Sequence, residues 1–228
     1  MNSVLAARGL VKTYGDVHAL AGVDIDISPG DVLAVVGPSG SGKTTLLHVL
    51  SGILRADGGD VFLDGRAIGE LSETGRSELR RTAFGFVFQS GMLVAELTAE
   101  ENAALPMLLG GRSREESLGA ARLWLARLGL QGMEQRRPGE LSGGQAQRVA
   151  IARALAHRPR VVFADEPTGA LDTRTGQEMM TALLQAARET NAAVVIVTHD
   201  KAIADRAHRV VDIQDGRIAV PNRGQVPA

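Results

Sequence analysis

The chain has no cysteine among its 228 residues. That absence excludes disulfides and any cysteine-ligated metal or iron–sulfur centre, and it fits a reducing compartment. Neither sign of charge is in excess, because 25 basic residues stand against 26 acidic ones for a formal charge of −1. A dedicated nucleic-acid binder normally carries a basic excess, so nucleic acid is not an expected partner. Long apolar runs are missing as well. Stretches such as Val32–Val36 and Ala192–Val197 fall far short of the ~20 residues of a spanning helix. The opening Met1-Asn2-Ser3-Val4-Leu5-Ala6-Ala7-Arg8 lacks the basic n-region of a secretory signal. The expectation is a protein soluble as made, held at any membrane by something else.

What is present reads as an α/β protein. Hydrophobic residues make up 44% and charged residues 22%, a globular balance that rules out wholesale disorder. The length suits one α/β domain, or one with an inserted lobe. Val23, Ile25 and Ile27 alternate with Asp24, Asp26 and Ser28, the pattern of a strand with one wet face. Val32–Val36, Val161–Ala164 and Ala193–Val197 are short continuous apolar runs, expected of parallel strands buried on both faces. Between the last two, Met180, Leu183, Leu184 and Ala187 mark one apolar helix face. From Ala99 to Arg153 the pattern is almost wholly helical, with Ser113-x-x-Glu116 read as a capping box before Leu118, Ala121, Leu125 and Leu128. Trp124 is assigned to packing of this helical lobe, while Arg80-Arg81 and Arg136-Arg137 are read as solvated charge.

Gly37-Pro38-Ser39-Gly40-Ser41-Gly42-Lys43-Thr44 matches G-x-x-x-x-G-K-[ST] between a buried strand and a helical run that begins at Thr45. Glycines let backbone N–H groups turn around phosphate oxygens, and the helix N-terminus adds a favourable dipole. Lys43 is placed to reach the β- and γ-phosphates and the Thr44 hydroxyl to ligate Mg²⁺. A chance match in a chain of this length has a probability of roughly one in a hundred, and the strand–loop–helix context lowers it further. The pattern predicts nucleotide binding.

Val161-Val162-Phe163-Ala164-Asp165-Glu166 runs four apolar residues into two carboxylates. Ligands of open parallel sheets sit at the carboxyl ends of strands, which puts Asp165 beside the phosphates in a Mg²⁺ role. Glu166 then stands where it can orient or deprotonate an attacking water. Alone, two acids ending a strand are common; the phosphate loop gives them a task.

Leu141-Ser142-Gly143-Gly144-Gln145 resembles the signature of ABC-type ATPases. Other elements stand in that family's order. Tyr14 resembles its adenine-stacking aromatic, Gln89 after Phe84-Gly85-Phe86-Val87-Phe88 its Q-loop, Ala170-Leu171-Asp172 its D-loop, and His199 its switch histidine. A lone histidine or a glutamine after a strand is more often structural, and it is the ordered set that favours function. The resemblance implies an ATP- and Mg²⁺-dependent ATPase with a P-loop NTPase core of mainly parallel sheet, an N-terminal antiparallel β subdomain and an inserted helical subdomain. It implies catalytic roles for Glu166, His199, Gln89 and Lys43, and metal contacts through Thr44, Gln89 and Asp165. It also implies that Ser142, Gly143, Gly144, Gln145 and Asp172 complete the nucleotide site of a second copy in an ATP-bound dimer. Core boundaries are expected near 1–89 and 156–220, with the helical lobe at 90–155 and a loose tail at 221–228.

Within the family, Gly37–Leu47, Phe84–Gln89 and Ala164–Asp172 look like the macrolide-exporter, lipoprotein-release and cell-division group. Ala146, where that group usually has glutamine, and Asp31, where it usually has glutamate, depart from the pattern. The resemblance implies an integral-membrane permease as partner, gripped through 90–106, and a peripheral place on the cytoplasmic side of the membrane. The alternative is a soluble ABC ATPase acting on a nucleic-acid or assembly complex. The stretch between Lys43 and Leu141, only about a hundred residues, is too short for a long coiled coil plus a helical lobe.

Overall fold

The computed structural model describes residues 3–219, so the expected tail at 221–228 lies outside the described residues. Two sheets form the frame. The chain opens as a β-hairpin, β1 (Leu5–Tyr14) and β2 (Val17–Ile27), and β1 pairs antiparallel on its other edge with β4 (Gly58–Leu63), which carries the short β5 (Arg66–Ala67). Val23, Ile25 and Ile27 of β2 are buried and Asp24 and Asp26 exposed, as alternation requires.

The larger sheet has the order β10-β9-β3-β8-β7-β6. Its strands are β3 (Val32–Val36), β6 (Phe84–Phe88), β7 (Val161–Asp165), β8 (Ala193–Val197), β9 (Arg209–Gln214) and β10 (Arg217–Ile218). From β9 to β6 every pairing is parallel. The interior strands β3, β7 and β8 are buried almost throughout, because helices or the first sheet cover both faces. Helix α1 (Lys43–Leu50) follows β3, α6 (Thr173–Thr190) joins β7 to β8, and the short α7 (Lys201–Ala204) follows β8. Met180, Leu183, Leu184 and Ala187 of α6 are all buried.

The inserted lobe comprises α3 (Ala99–Leu109), α4 (Arg114–Arg127) and α5 (Gly143–Leu155). Its core contains Leu118, Ala121, Trp124, Leu125 and Leu128, in agreement with the expected apolar face. Ser113 caps α4 through the Glu116 N–H, but Glu116 turns its carboxylate to the Ser113 hydroxyl rather than to the backbone. Only half of the expected capping box forms there. The full box occurs instead at Thr98–Glu101 and at Ser142–Gln145.

One helix has no counterpart in the sequence reading. Helix α2 (Glu73–Thr82) has a charged face where an apolar one is usual, with Arg76 buried and Arg76 and Arg80 both paired to Glu73. Arg80 and Arg81 are half-buried rather than solvated, while Arg136 and Arg137 are exposed as expected.

Helix α5 meets the sheet at Gly85 of β6, where a Cβ would lie 2.2 Å from the Ala154 carbonyl oxygen. Gly85→Ala must therefore push α5 away from the sheet, at a cost of about 1–3 kcal/mol. Urea unfolding is expected to show a lowered midpoint with an unchanged slope; an unshifted midpoint would mean that the contact is looser than the coordinates place it.

Candidate active site

The loop 37–44 joins β3 to α1, and its glycines are demanded by contact as well as by conformation. Gly37 has φ +145° with a hypothetical Cβ 2.2 Å from the Ile213 carbonyl oxygen, and Gly42 has φ +105° with one 2.1 Å from that of Ala19. Any side chain at either position collides with backbone in a region of φ that L-residues avoid. Gly42 is also the N-cap of α1, and no side chain caps that helix. The first-turn N–H groups, including those of Lys43, Thr44 and Thr45, thus stay available to an anion. The Lys43 ammonium lies over the loop, donating to the carbonyls of Gly37 at 2.9 Å and Pro38 at 2.7 Å.

Strand β7 delivers Asp165 and Glu166 to the same end of the sheet. The Thr44 hydroxyl sits 3.4 Å from Asp165 Oδ1. Burial pushes the Asp165 carboxyl above its usual range and Glu166 adds to this, while His48, Thr44 and Lys43 pull the other way. His48, on the inner side of α1, is a neighbour that no motif signals. Glu166 adopts φ +45°, a left-handed conformation that costs a non-glycine residue about 1–2 kcal/mol. The strain is held by its N–H donating to the Val197 carbonyl and by the Gly169 N–H donating back to its own carbonyl.

His199, exposed after β8, places Nδ1 2.9 Å from Glu166 Oε1. Gln89, just past β6, lies against the turn that follows Glu166, since a Cβ on Gly169 would meet its Nε2 at 2.7 Å. Lys43, Thr44, Asp165, Glu166, His199 and Gln89 therefore gather at the carboxyl ends of the parallel strands. Tyr14, half exposed at the end of β1, has the Lys12 ammonium 5.7 Å from its ring centre.

The signature residues have different neighbours. Gly143 faces Leu171, and a Cβ on Gly144 would touch the Thr175 methyl at 2.7 Å, so the start of α5 packs on the start of α6. Ser142 and Gln145 cap each other's backbone, which occupies the Gln145 side chain locally. Asp172 is likewise occupied as the N-cap of α6, bonded to Thr175. What α5 presents outward is the pair of N–H groups of Gly143 and Gly144. Among the described residues no hydrogen bond or ion pair joins 141–145 to 37–45.

A profile of the family described as "ABC transporter" matches residues 20–169. The chain belongs to that family. It is 46% identical over 219 residues to the lipoprotein-releasing system ATP-binding protein LolD 2 of Caulobacter vibrioides, covering 94% of this chain and 96% of that protein. The macrolide export ATP-binding/permease protein MacB 1/2 of Paracoccus denitrificans is 44% identical over 229 residues, 99% of this chain but 34% of that protein. The chain thus spans about a third of that relative. The solved dimer of the ATP-binding cassette MJ0796 in a post-hydrolysis state, bound to ADP and Pi, superposes with a TM-score of 0.85 at 37% identity, covering 95% of this chain and 97% of that one. The protein is an ATP-binding, ATP-hydrolysing cassette.

A second feature of the cassette lies on the far side of β6. A cleft of about 480 Å³ opens between α2 and α3 over Phe86 and Phe88, and its walls include Ile53, Leu105 and Leu109. It continues past Pro106 to Met92, Arg153 and His157. Arg80 and Arg81 line the first part and Arg153 the second, and no carboxylate lines either. Arg81 Nε is buried without a partner among the described residues. Arg153 donates only to the carbonyls of Met92 and Gly91, and burial lowers its pKa. The sequence reading took Arg81 for solvated charge and did not mark Arg153, for which a basic residue amid the apolar positions of α5 was the available signal.

The hydrogen bond to Glu166 is the main reason that the His199 pKa rises above 6.5, with their charge attraction next. The imidazolium–carboxylate pair is complete below 6.5 and is lost as pH rises through the elevated value. An NMR titration of His199 is expected above 6.5 in the wild type and shifted down in Glu166→Gln. Titration at or below 6.5 in the wild type would mean that the pair does not form in solution.

Proposed function

We propose that this cassette drives a separate integral-membrane permease, working as one of two identical ATPase subunits held peripherally at the cytoplasmic face of the membrane. The observation that carries the permease reading is the arginine-rimmed apolar cleft. Phe86, Phe88, Pro106 and Leu109 suit the apolar face of a helix, and Arg81 and Arg153, which lack carboxylate partners among the described residues, suit acids on that helix. The names of LolD 2 and MacB 1/2 favour lipoprotein or macrolide-type cargo, moved or extracted by the permease. Segment 90–106 borders the cleft, with Met92 exposed at 62% and Leu93 half-buried against the lobe. That divides the expected docking segment between partner contact and packing.

The chemistry follows from the groups at the carboxyl ends of the strands. Loop amides 40–45 and the Lys43 ammonium bind the β- and γ-phosphates. Tyr14 stacks on the adenine. Glu166 accepts the proton of the attacking water, and His199, held through Nδ1, turns Nε2 toward the γ-phosphate. Gln89 is proposed to help orient that water.

The donor set also fits Mg²⁺. Thr44 and Asp165 offer hard oxygens, and Asp165 is held by burial in a state that a cation relieves. Among the described residues no three His, Asp or Glu side chains can hold a metal unaided, so phosphate oxygens complete the set. Thr44, Asp165 and Gln89 would hold the ion, which when bound neutralises charge on the β- and γ-oxygens. The outward amides of Gly143 and Gly144 are an anion site for the γ-phosphate of the second copy.

Glu166→Gln is expected to retain ATP binding, lose about 10²–10⁴-fold in turnover, and elute as an ATP-bound dimer on size exclusion. Wild-type turnover in this variant would move the base to another residue.

The docking surface has its own test. Leu109→Asp, at a residue that is 59% exposed, and Arg81→Glu, which breaks no ion pair among the described residues, are expected to fold and to keep basal ATPase activity within about twofold. Both should lose co-purification with the permease and stimulation by it. Retained co-purification in both would place the docking surface elsewhere.

A further inference from the structure

The signature helix α5 carries a glutamine that no motif accounts for. Gln147 is 3% exposed, and a buried side-chain amide must find partners or lose about 1–3 kcal/mol. Its Nε2 donates to two backbone carbonyls at once, that of Phe88 at 2.9 Å and that of Pro167 at 2.9 Å. Both acceptors stand next to residues assigned above to the chemistry. Phe88 directly precedes Gln89, and Pro167 directly follows Glu166. The donor belongs to the helical lobe and the acceptors to the ends of the neighbouring core strands β6 and β7.

Two further contacts make the arrangement tight. Arg153, six positions later on α5, holds the carbonyls of Gly91 and Met92 at 2.6 and 2.7 Å. The segment leaving β6 is thus pinned to α5 at both ends, by Gln147 before Gln89 and by Arg153 beyond it. Gly91 has φ +70°, and a Cβ there would come within 3.1 Å of Gln147 Oε1, so the chain turns closely around the glutamine. On the other side, Glu166 sits in its left-handed conformation at φ +45°. Such strain persists only where the surroundings over-determine it. The Pro167 carbonyl held by Gln147 is one of those restraints.

We infer that Gln147 is a positioning residue for ATP hydrolysis. It fixes Gln89 and Glu166 relative to each other and ties both to the signature helix. It touches neither nucleotide nor water, and acts only through the two carbonyls. Movement of α5, whether driven by a second copy at its N-terminus or by a partner in the cleft beside Arg153, reaches the Gln89 segment through both side chains, and Gln147 also carries it to the Glu166 turn. The inference rests on the roles given to Gln89 and Glu166, and the controls below separate the two.

Two variants remove the donor while keeping the length of the side chain. Gln147→Met replaces it with an apolar chain, and Gln147→Glu keeps shape and polarity but, when ionised, offers no N–H to either carbonyl. Misplacement of catalytic groups by about an ångström costs up to about 10²-fold. Both folded variants are therefore expected to lose about 10- to 100-fold in kcat, with KM and the ATP dissociation constant within about twofold of wild type. A residue that serves packing alone would lower the melting temperature and leave kcat per folded molecule unchanged. The inference falls if kcat stays within about twofold in every variant that folds, or if neither variant folds. If only one folds, its kcat decides. Glu166→Gln, measured alongside, tells the two failures apart. An inactive Glu166→Gln with an active Gln147→Met overturns only the positioning role, whereas an active Glu166→Gln overturns the assignment of the base itself.

Discussion

Helix α5 can sit where it does only because β6 has no side chain at Gly85. The Ala154 carbonyl occupies the space that a Cβ would need, so the helix axis comes closer to the sheet than a side chain allows. That approach brings Gln147 within reach of two strand ends and Arg153 within reach of the turn beyond Gln89. It also holds the other end of the helix, with its uncapped Gly143 and Gly144 amides, at the surface over the start of α6. One close contact between a helix and an edge strand thus sets both the inward and the outward business of α5.

The electrostatics divide in a similar way. The chain as a whole is nearly neutral, yet its surfaces are not. Asp165 and Glu166 are adjacent carboxylates at a buried strand end, balanced by Lys43, His48 and His199. The Lys43 ammonium and the free loop amides offset part of that negative charge, and a polyanionic nucleotide bound beside it would call for a further cation. On the opposite side of β6 the imbalance is reversed. Arg81 and Arg153 are partly or mostly buried without an acid, an arrangement that costs stability in the isolated chain. In the proposed complex, carboxylates on the partner would remove that cost.

What the sequence shows depends on how local the determinant is. The loop 37–44 and the carboxylates ending β7 are each set by residues within a few positions of one another, and both were readable, as was the alternation of β2; the capping box at Ser142–Gln145 is equally local but was not singled out. Helix α2 was not, because its only large apolar residues are Leu79 and the flanking Leu71. Its one buried residue is Arg76, and Arg76 and Arg80 both reach back to the exposed Glu73, a pattern with no hydrophobic period to find. For the same reason Arg80 and Arg81 read as solvated although the fold turns them into the cleft. Gln147 is the extreme case. Its partners are backbone carbonyls 59 and 20 positions away, so nothing in its own neighbourhood distinguishes it from a surface glutamine.

The distribution of polar groups also bears on the proposed sharing of a nucleotide site between two copies. Both signature side chains that can hydrogen-bond are committed nearby, Ser142 and Gln145 to each other's backbone, and the neighbouring Asp172 is bonded to Thr175. Those bonds rigidify the surface but satisfy nothing beyond it. The amides of Gly143 and Gly144 remain, pointing out from a helix N-terminus whose dipole favours an anion. The chain's own phosphate loop packs against Ala19 and Ile213, away from Leu171 and Thr175 where the signature lies. An anion for those amides comes from outside the chain, and in the proposed dimer a nucleotide on a second copy would supply it. Association then depends on the nucleotide's charge at the γ-position, which hydrolysis removes. Dimer opening is in this sense a consequence of where the free N–H groups point.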